Sequence, residues 1–182
     1  MKTTPHKPTI LRAALAVLGL ALLAAAPVRA SERWATLQAI HQLENPQDSQ
    51  QPGNLGELGA YQFREGTWRM HTSVPFQAAL DRRVSDAVAV KHYDWLRSEL
   101  ERRGIAVTPY RIALAWNGGI RAATAGHPPA SAVDYAHRAA NLAADYQRRE
   151  QAYLSLAQSR NLACSGDLGV RLADSSPGVD VR

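Results

Sequence analysis

The stretch Leu43-Glu44-Asn45-Pro46, continuing through a polar loop to Leu58-Gly59-Ala60-Tyr61-Gln62-Phe63, is where this chain changes from helix to turn around a single acid. Upstream of it, Trp34, Leu37 and Ile40 recur at spacings of three, the pattern of a helical apolar face. Glu44 lies four residues after Ile40 and seven after Leu37, so it falls on that face. A carboxylate there is partly desolvated, which disfavours its charged form and raises its pKa. A Glu that donates a proton near neutral pH needs that treatment. The competing reading is a Glu near a helix end that turns to water. His41 reads as a polar helix residue rather than a proton carrier.

Working outward, residues 1–30 read as an export signal. Lys2, Lys7 and Arg12 precede an apolar run, Ala13 to Ala26, too short for a stable membrane anchor. Val28-Arg29-Ala30 places small residues where a signal peptidase reads, with cleavage expected after Ala30. The chain is thus expected to be periplasmic or secreted, with no membrane span after cleavage. The whole sequence has 21 Lys and Arg against 16 Asp and Glu. Lys2, Lys7, Arg12 and Arg29 leave with the signal and no acid does, so 17 remain against 16. The Arg pairs 82–83, 102–103 and 148–149 alternate with acids, as solvated helix faces do. The concentrated basic face of a nucleic-acid module is absent from this sequence.

The remaining length suits one domain, over residues 31–150, followed by a helix remnant and a disordered tail over 151–182. Ser31 is a candidate cap for the first helix, and a short helix is expected over Glu65 to His71. From Phe76, the apolar set Leu80, Val84, Val88, Trp95, Leu96, Leu100 keeps helical spacing, with a break near Asp81. Gly104 stands where a left-handed cap belongs, and Thr108-Pro109 reads as the next start. That helix is expected to stop at Gly118-Gly119. A last one opens near Ser131 and shows Tyr135, Ala139, Leu142 and Tyr146 on one face. Only Ile105 to Val107 hints at a strand, so the fold class is all-α. Cys164, the single cysteine, reads as a surface thiol or a dimer link. The spacings of metal-binding motifs are absent, and neither metal nor cofactor is expected.

Four motifs in order give the chain a family resemblance over roughly residues 33–146. Glu44 is followed by Gly56, Gly59 and Gln62, the +12, +15 and +18 offsets of the lysozyme-like lytic transglycosylases. Their G-A-x-G-L-M-Q-like turn is here Gly56-Glu57-Leu58-Gly59-Ala60-Tyr61-Gln62. Gln62-Phe63 with Thr67-Trp68 also resembles the G-G-L-Q-F…T-W pattern of resuscitation-promoting-factor-like domains. Ala115-Trp116-Asn117-Gly118-Gly119 is similar to the family's A-Y-N-A-G, and Tyr135-Ala136 to its late Y-V or Y-A. Two positions depart. The family places Ser after the Glu and often another at +9, where this chain has Asn45 and Gly53. Ser49 is the nearest hydroxyl to fill the second place.

The resemblance implies a lysozyme-like helical domain that cleaves the MurNAc–GlcNAc β-1,4 linkage of peptidoglycan glycan strands. Glu44 would be the single acid and base. Gly59, Ala60, Tyr61, Gln62, Trp116, Asn117 and Tyr135 would bind substrate, with Asn117 and Tyr135 also orienting the Glu. Each has a plainer role as well: glycine backbone freedom, a turn cap for Gln62, helix-end capping for Asn117, core packing for Tyr135. Trp68 and Trp95 read as core. Asp48, Glu57 and Glu65 are the candidate second carboxylates, none standing where the family places a catalytic acid. Glu57 is expected to be exposed. With no clear second carboxylate, intramolecular ring closure to an anhydro sugar is favoured over hydrolysis by a muramidase. A different class stays open: a non-catalytic glycan-binding or envelope-assembly accessory that docks an envelope partner or dimerises through Cys164.

Overall fold

Helix α1 occupies residues 31–44 of the computed structural model, which describes the backbone of residues 31–124 and 126–173 and the side chains of 31–124 and 126–160. The proposed signal, the sulfur of Cys164 and the final tail lie outside those limits. Ser31, read as a cap, is already helical, and its hydroxyl donates to Glu150. Leu37 and Ile40 of α1 enter the main core, while Ala35 and Ala39 pack against Ala143 on the last helix. Trp34 is the exception on that stripe. It is 47% exposed and meets Tyr146 edge-on.

Helix α2 spans Glu65–Arg69 and a 3-10 turn spans Phe76–Leu80, each holding one fully buried residue, Trp68 and Ala79. Trp68 satisfies its indole N–H on the Val74 carbonyl at 2.7 Å and places its ring against Phe63 and Phe76. The break expected near Asp81 is present. Its carboxylate accepts from the Arg83 and Val84 N–H groups and caps helix α3, Arg82–Arg102. Helix α3 buries Val88, Ala89, His92, Tyr93, Leu96 and Leu100, a stripe of 3.6-residue period. It ends in a complete Schellman cap: Gly104 has φ +66°, its N–H reaches the Glu101 carbonyl, and the Ile105 N–H reaches the Leu100 carbonyl.

Helix α4, Pro109–Thr124, starts as expected, with the Thr108 hydroxyl accepting from the Arg111 N–H at 3.2 Å. The helix opened at Pro109 breaks where expected, at Gly119 (φ +78°, ψ +164°), and a second run of helical turns follows to Thr124. Helix α5, Ala130–Ala173, buries Ala132, Tyr135, Ala136, Ala139 and Ala143 against the other helices. The small residues on this stripe allow close approach, and a Cβ on Gly118 would meet Ala132 at 3.1 Å.

The described residues therefore form one all-helical domain without a sheet, the class expected from the sequence. Two details differ. Residues Ile105 to Val107 are not a strand, and the one β-bridge among the described residues joins Leu58 to Phe63. The backbone of 105–107 is occupied with leaving the Gly104 cap and entering the Thr108 cap. Helix α5 is no remnant after residue 150 but continues unbroken to Ala173. Residues 151–160, which include Ala, Leu and Gln and are free of Gly and Pro, sustain it by helix propensity. Tyr153, Leu154 and Leu156 are more than half exposed there.

Candidate active site

Glu44 is the last residue of α1, and its side chain is half-buried at a cleft of about 760 Å³. Tyr135, from the second turn of α5, donates its hydroxyl to Glu44 Oε1 at 2.8 Å across 91 residues of sequence. Burial raises the Glu44 pKa above its ordinary value; the Tyr135 bond opposes this, and the charge of Glu57 adds to it. The Tyr135 hydroxyl is pushed far above its ordinary range, first by burial and then by Glu44, so it stays a donor. A carboxyl whose neutral form burial favours, aimed by one fixed donor, can deliver a proton into the cleft.

Asn45 explains its own presence in place of a serine. It is 6% exposed; its amide N–H₂ donates to the Ser49 and Gly59 carbonyls, and its oxygen accepts from the Ser49 N–H. One side chain thus ties the end of α1 to the loop and to the downstream turn. A serine is too short to make these three bonds. Ser49, the hydroxyl considered for the second serine place, is held in this knot and is absent from the cleft lining.

The turn itself is a short hairpin. Leu58 and Phe63 exchange two N–H···O bonds of 3.0 Å, and the Gln62 N–H closes on the Gly59 carbonyl at 3.1 Å. Gly59 (φ +75°) lies hard against the 3-10 turn, where an added Cβ would stand 1.8 Å from the Ala79 carbonyl oxygen. Its own carbonyl already accepts from Asn45 and twice from Gln62. Gly59 and Ala60, expected from the resemblance to bind substrate, are buried and do not line the cleft. Gly59 fixes the turn, and Ala60, 4% exposed, fills core.

Tyr61, Gln62, Trp116 and Asn117 do line the cleft with Glu44. Tyr61 is 2% exposed, donates to Asp86 at 2.7 Å and presents only ring surface. Gln62 holds an unusual φ of +45°; its amide N–H₂ caps Gly59, leaving its oxygen toward Gly53. The Trp116 ring packs on Tyr61, Phe63 and His92 and keeps a partly exposed surface at the cleft. Asn117 sits exposed at the cleft rim just before the Gly119 break and makes no hydrogen bond with Glu44 among the described residues. Tyr135 is not in the lining; it acts on the cleft through Glu44.

Three cleft residues escaped the sequence reading or were misplaced by it. Glu57, expected to point into water, folds back so that its side chain is only 16% exposed. It accepts from the Leu55 N–H at 2.8 Å and from Arg64 at 3.3 Å. Arg64 joins it in the lining. His92 contributes from α3, stacked on Trp95 and bonded through Nδ1 to His71 at 2.9 Å. Burial, with His71 nearby, pushes the His92 pKa down to about 3, so it is neutral. Its place on the buried stripe of α3 was a readable signal of an imidazole turned inward. The other carboxylates are engaged away from the cleft, Asp48 with His41 and Arg82, and Glu65 with Arg69.

Tyr135→Phe gives the first expected result. The lost bond favoured ionised Glu44, so the Glu44 pKa rises further, and any activity needing protonated Glu44 persists to higher pH. A carboxyl-selective NMR titration of Glu44 reads this directly, and an unchanged or lowered midpoint contradicts it.

No family model, no curated protein and no solved structure matches this chain.

Proposed function

We propose that the chain is an exported peptidoglycan-cleaving enzyme of the lysozyme-like lytic transglycosylase type, acting on the MurNAc–GlcNAc β-1,4 linkage. The observation that carries this reading is the pair formed by Glu44 and Tyr135 at the open cleft, because it supplies a proton donor of raised pKa in a place a glycan strand can reach. The ordered motifs around Glu44, Gln62, Trp116 and Tyr135 support it, and so does the export signal read in residues 1–30. No metal or cofactor is needed for the chemistry.

In this reading Glu44 gives its proton to the leaving glycosidic oxygen as the C1–O bond breaks. The anomeric carbon becomes oxocarbenium-like. The hydroxymethyl oxygen of the same sugar then bonds to C1, and its proton passes to the Glu44 carboxylate, which restores the enzyme. A pKa raised by burial serves both halves, since it favours the protonated acid first and makes the carboxylate a better base afterwards. Trp116 offers an aromatic surface to a sugar ring, and the Gln62 oxygen offers an acceptor to its N–H or hydroxyl groups. The test is digestion of purified sacculi by the exported chain. Release of soluble muropeptides is the expected result, and sacculi that bind the protein yet stay intact would favour the non-catalytic alternative.

A further inference from the structure

We infer that Glu57 is the second carboxylate of this site: a fixed anion on the cleft wall that stabilises the positive charge developing at the anomeric carbon while Glu44 handles the proton. The inference rests on reading the cleft as glycan-cleaving. Glu57 and Glu44 line the same cleft from different elements, one from the loop before the hairpin and one from the end of α1. The two carboxylates are near enough for the charge on Glu57 to raise the Glu44 pKa.

The position of Glu57 is built, not incidental. The loop closes on itself, with the Gly53 N–H on the Glu57 carbonyl at 2.8 Å and the Gly56 N–H on the Gly53 carbonyl at 3.0 Å. Inside that closure the Glu57 side chain takes the Leu55 N–H and is braced by Arg64. Gly53 is what makes room. A Cβ there would stand 2.6 Å from both Glu57 Oε2 and Gln62 Oε1, so any larger residue displaces the carboxylate. The place where a serine was expected is therefore occupied by the Glu57 carboxylate, reaching in from four residues downstream.

The surroundings separate the two acids. The Leu55 N–H, then the Glu57 N–H, with Arg64 in support, lower the Glu57 pKa, whereas burial raises that of Glu44. Two carboxyls pushed apart in this way take different roles, one protonated and one charged. A carboxylate stabilised as an anion is a poor final proton acceptor, so Glu57 neither gains nor loses a proton in the cycle. The charged or titratable groups bearing on Glu44 are Tyr135 from α5 and Glu57 from the loop. Arg64 lies beyond Glu57, and His92 on α3 is neutral.

The experiment compares the exported wild-type chain with Glu57→Gln on purified sacculi across pH, alongside NMR titration of Glu44 in both. The Gln carbonyl can still accept from Leu55, so the loop is retained. The expected rate loss is about tenfold to a hundredfold. Without its negative neighbour Glu44 has a lower pKa, and the alkaline limb, where protonated Glu44 is lost, moves to lower pH. The acid limb, where Glu57 would become protonated, disappears. A purely structural role would lower the melting temperature without moving the Glu44 titration. An active wild type with an equal rate and an unmoved titration for Glu57→Gln overturns the inference and leaves the cleavage reading standing. An inactive wild type overturns the cleavage reading itself, even if the Glu44 titration moves.

Discussion

Glu44→Gln is expected to reduce muropeptide release from sacculi by at least ~100-fold, the usual contribution of a positioned proton donor. The substitution keeps size and shape. Its amide oxygen can accept the Tyr135 hydroxyl in place of Oε1, so the clamp between α1 and α5 persists. What is lost is the transferable proton, together with one end of the repulsion between Glu44 and Glu57. The folded state loses a carboxyl whose ionisation burial disfavours, and stability at neutral pH should be unchanged or slightly higher. Circular dichroism melting beside the digestion assay separates the two effects. Equal release by both proteins would remove Glu44 from the mechanism, and a large drop in melting temperature would mean that Glu44 is chiefly structural.

The largest stability effect is expected at Gly59. An alanine there must hold φ near +75°, which costs about 1–2 kcal/mol for a residue with a Cβ. Its methyl would also stand 1.8 Å from the Ala79 carbonyl oxygen and 2.7 Å from the Ala79 carbonyl carbon. Those are backbone atoms of the 3-10 turn, which cannot swing aside as a side chain does. Overpacking of this kind adds about 1–3 kcal/mol. Gly59→Ala is therefore expected to lose roughly 2–5 kcal/mol in urea unfolding, a large part of a small domain's stability. Gly56 is the internal control. It has φ +81° but nothing within 4 Å of an added Cβ, so Gly56→Ala should cost only about 1–2 kcal/mol. Equal losses for the two would mean that conformation alone, and not contact with Ala79, sets the need for Gly59.

These two glycines show what the sequence does and does not disclose. Their spacing from Glu44 is visible in the sequence, and so is the need for unusual backbone at both. That one of them abuts another element is a tertiary fact with no local signature. The helices were legible because their ends carry local chemistry: Gly104 and Thr108-Pro109 cap where expected, and Asp81 caps α3 at the break expected near it. The helix expected past residue 150 is longer than its thinning apolar pattern suggested, because burial falls off there while helix propensity does not. The raised pKa of Glu44 followed from its place on the apolar face of α1. Its contact with Tyr135 crosses the whole domain and was suggested only by family resemblance.

The misreading of Glu57 has the same origin. Its fate depends on Gly53 leaving space and on Leu55 offering an N–H, neither of which periodicity encodes. Asn45 and Gly53 looked like weaknesses when read as missing serines. In the folded chain Asn45 holds the loop to the turn and Gly53 admits a carboxylate.

In the proposed reaction, the cleft beside Glu44 breaks the glycan strand by closing a ring on the sugar itself. Mass spectrometry of the fragments released from purified sacculi by the protein decides between ring closure and hydrolysis. The expected fragments carry anhydro ends, lighter by one water than reducing ends, and are lost with Glu44→Gln. Reducing ends alone would show that water attacks the anomeric carbon, and sacculi left without any soluble fragment would contradict the account at its root.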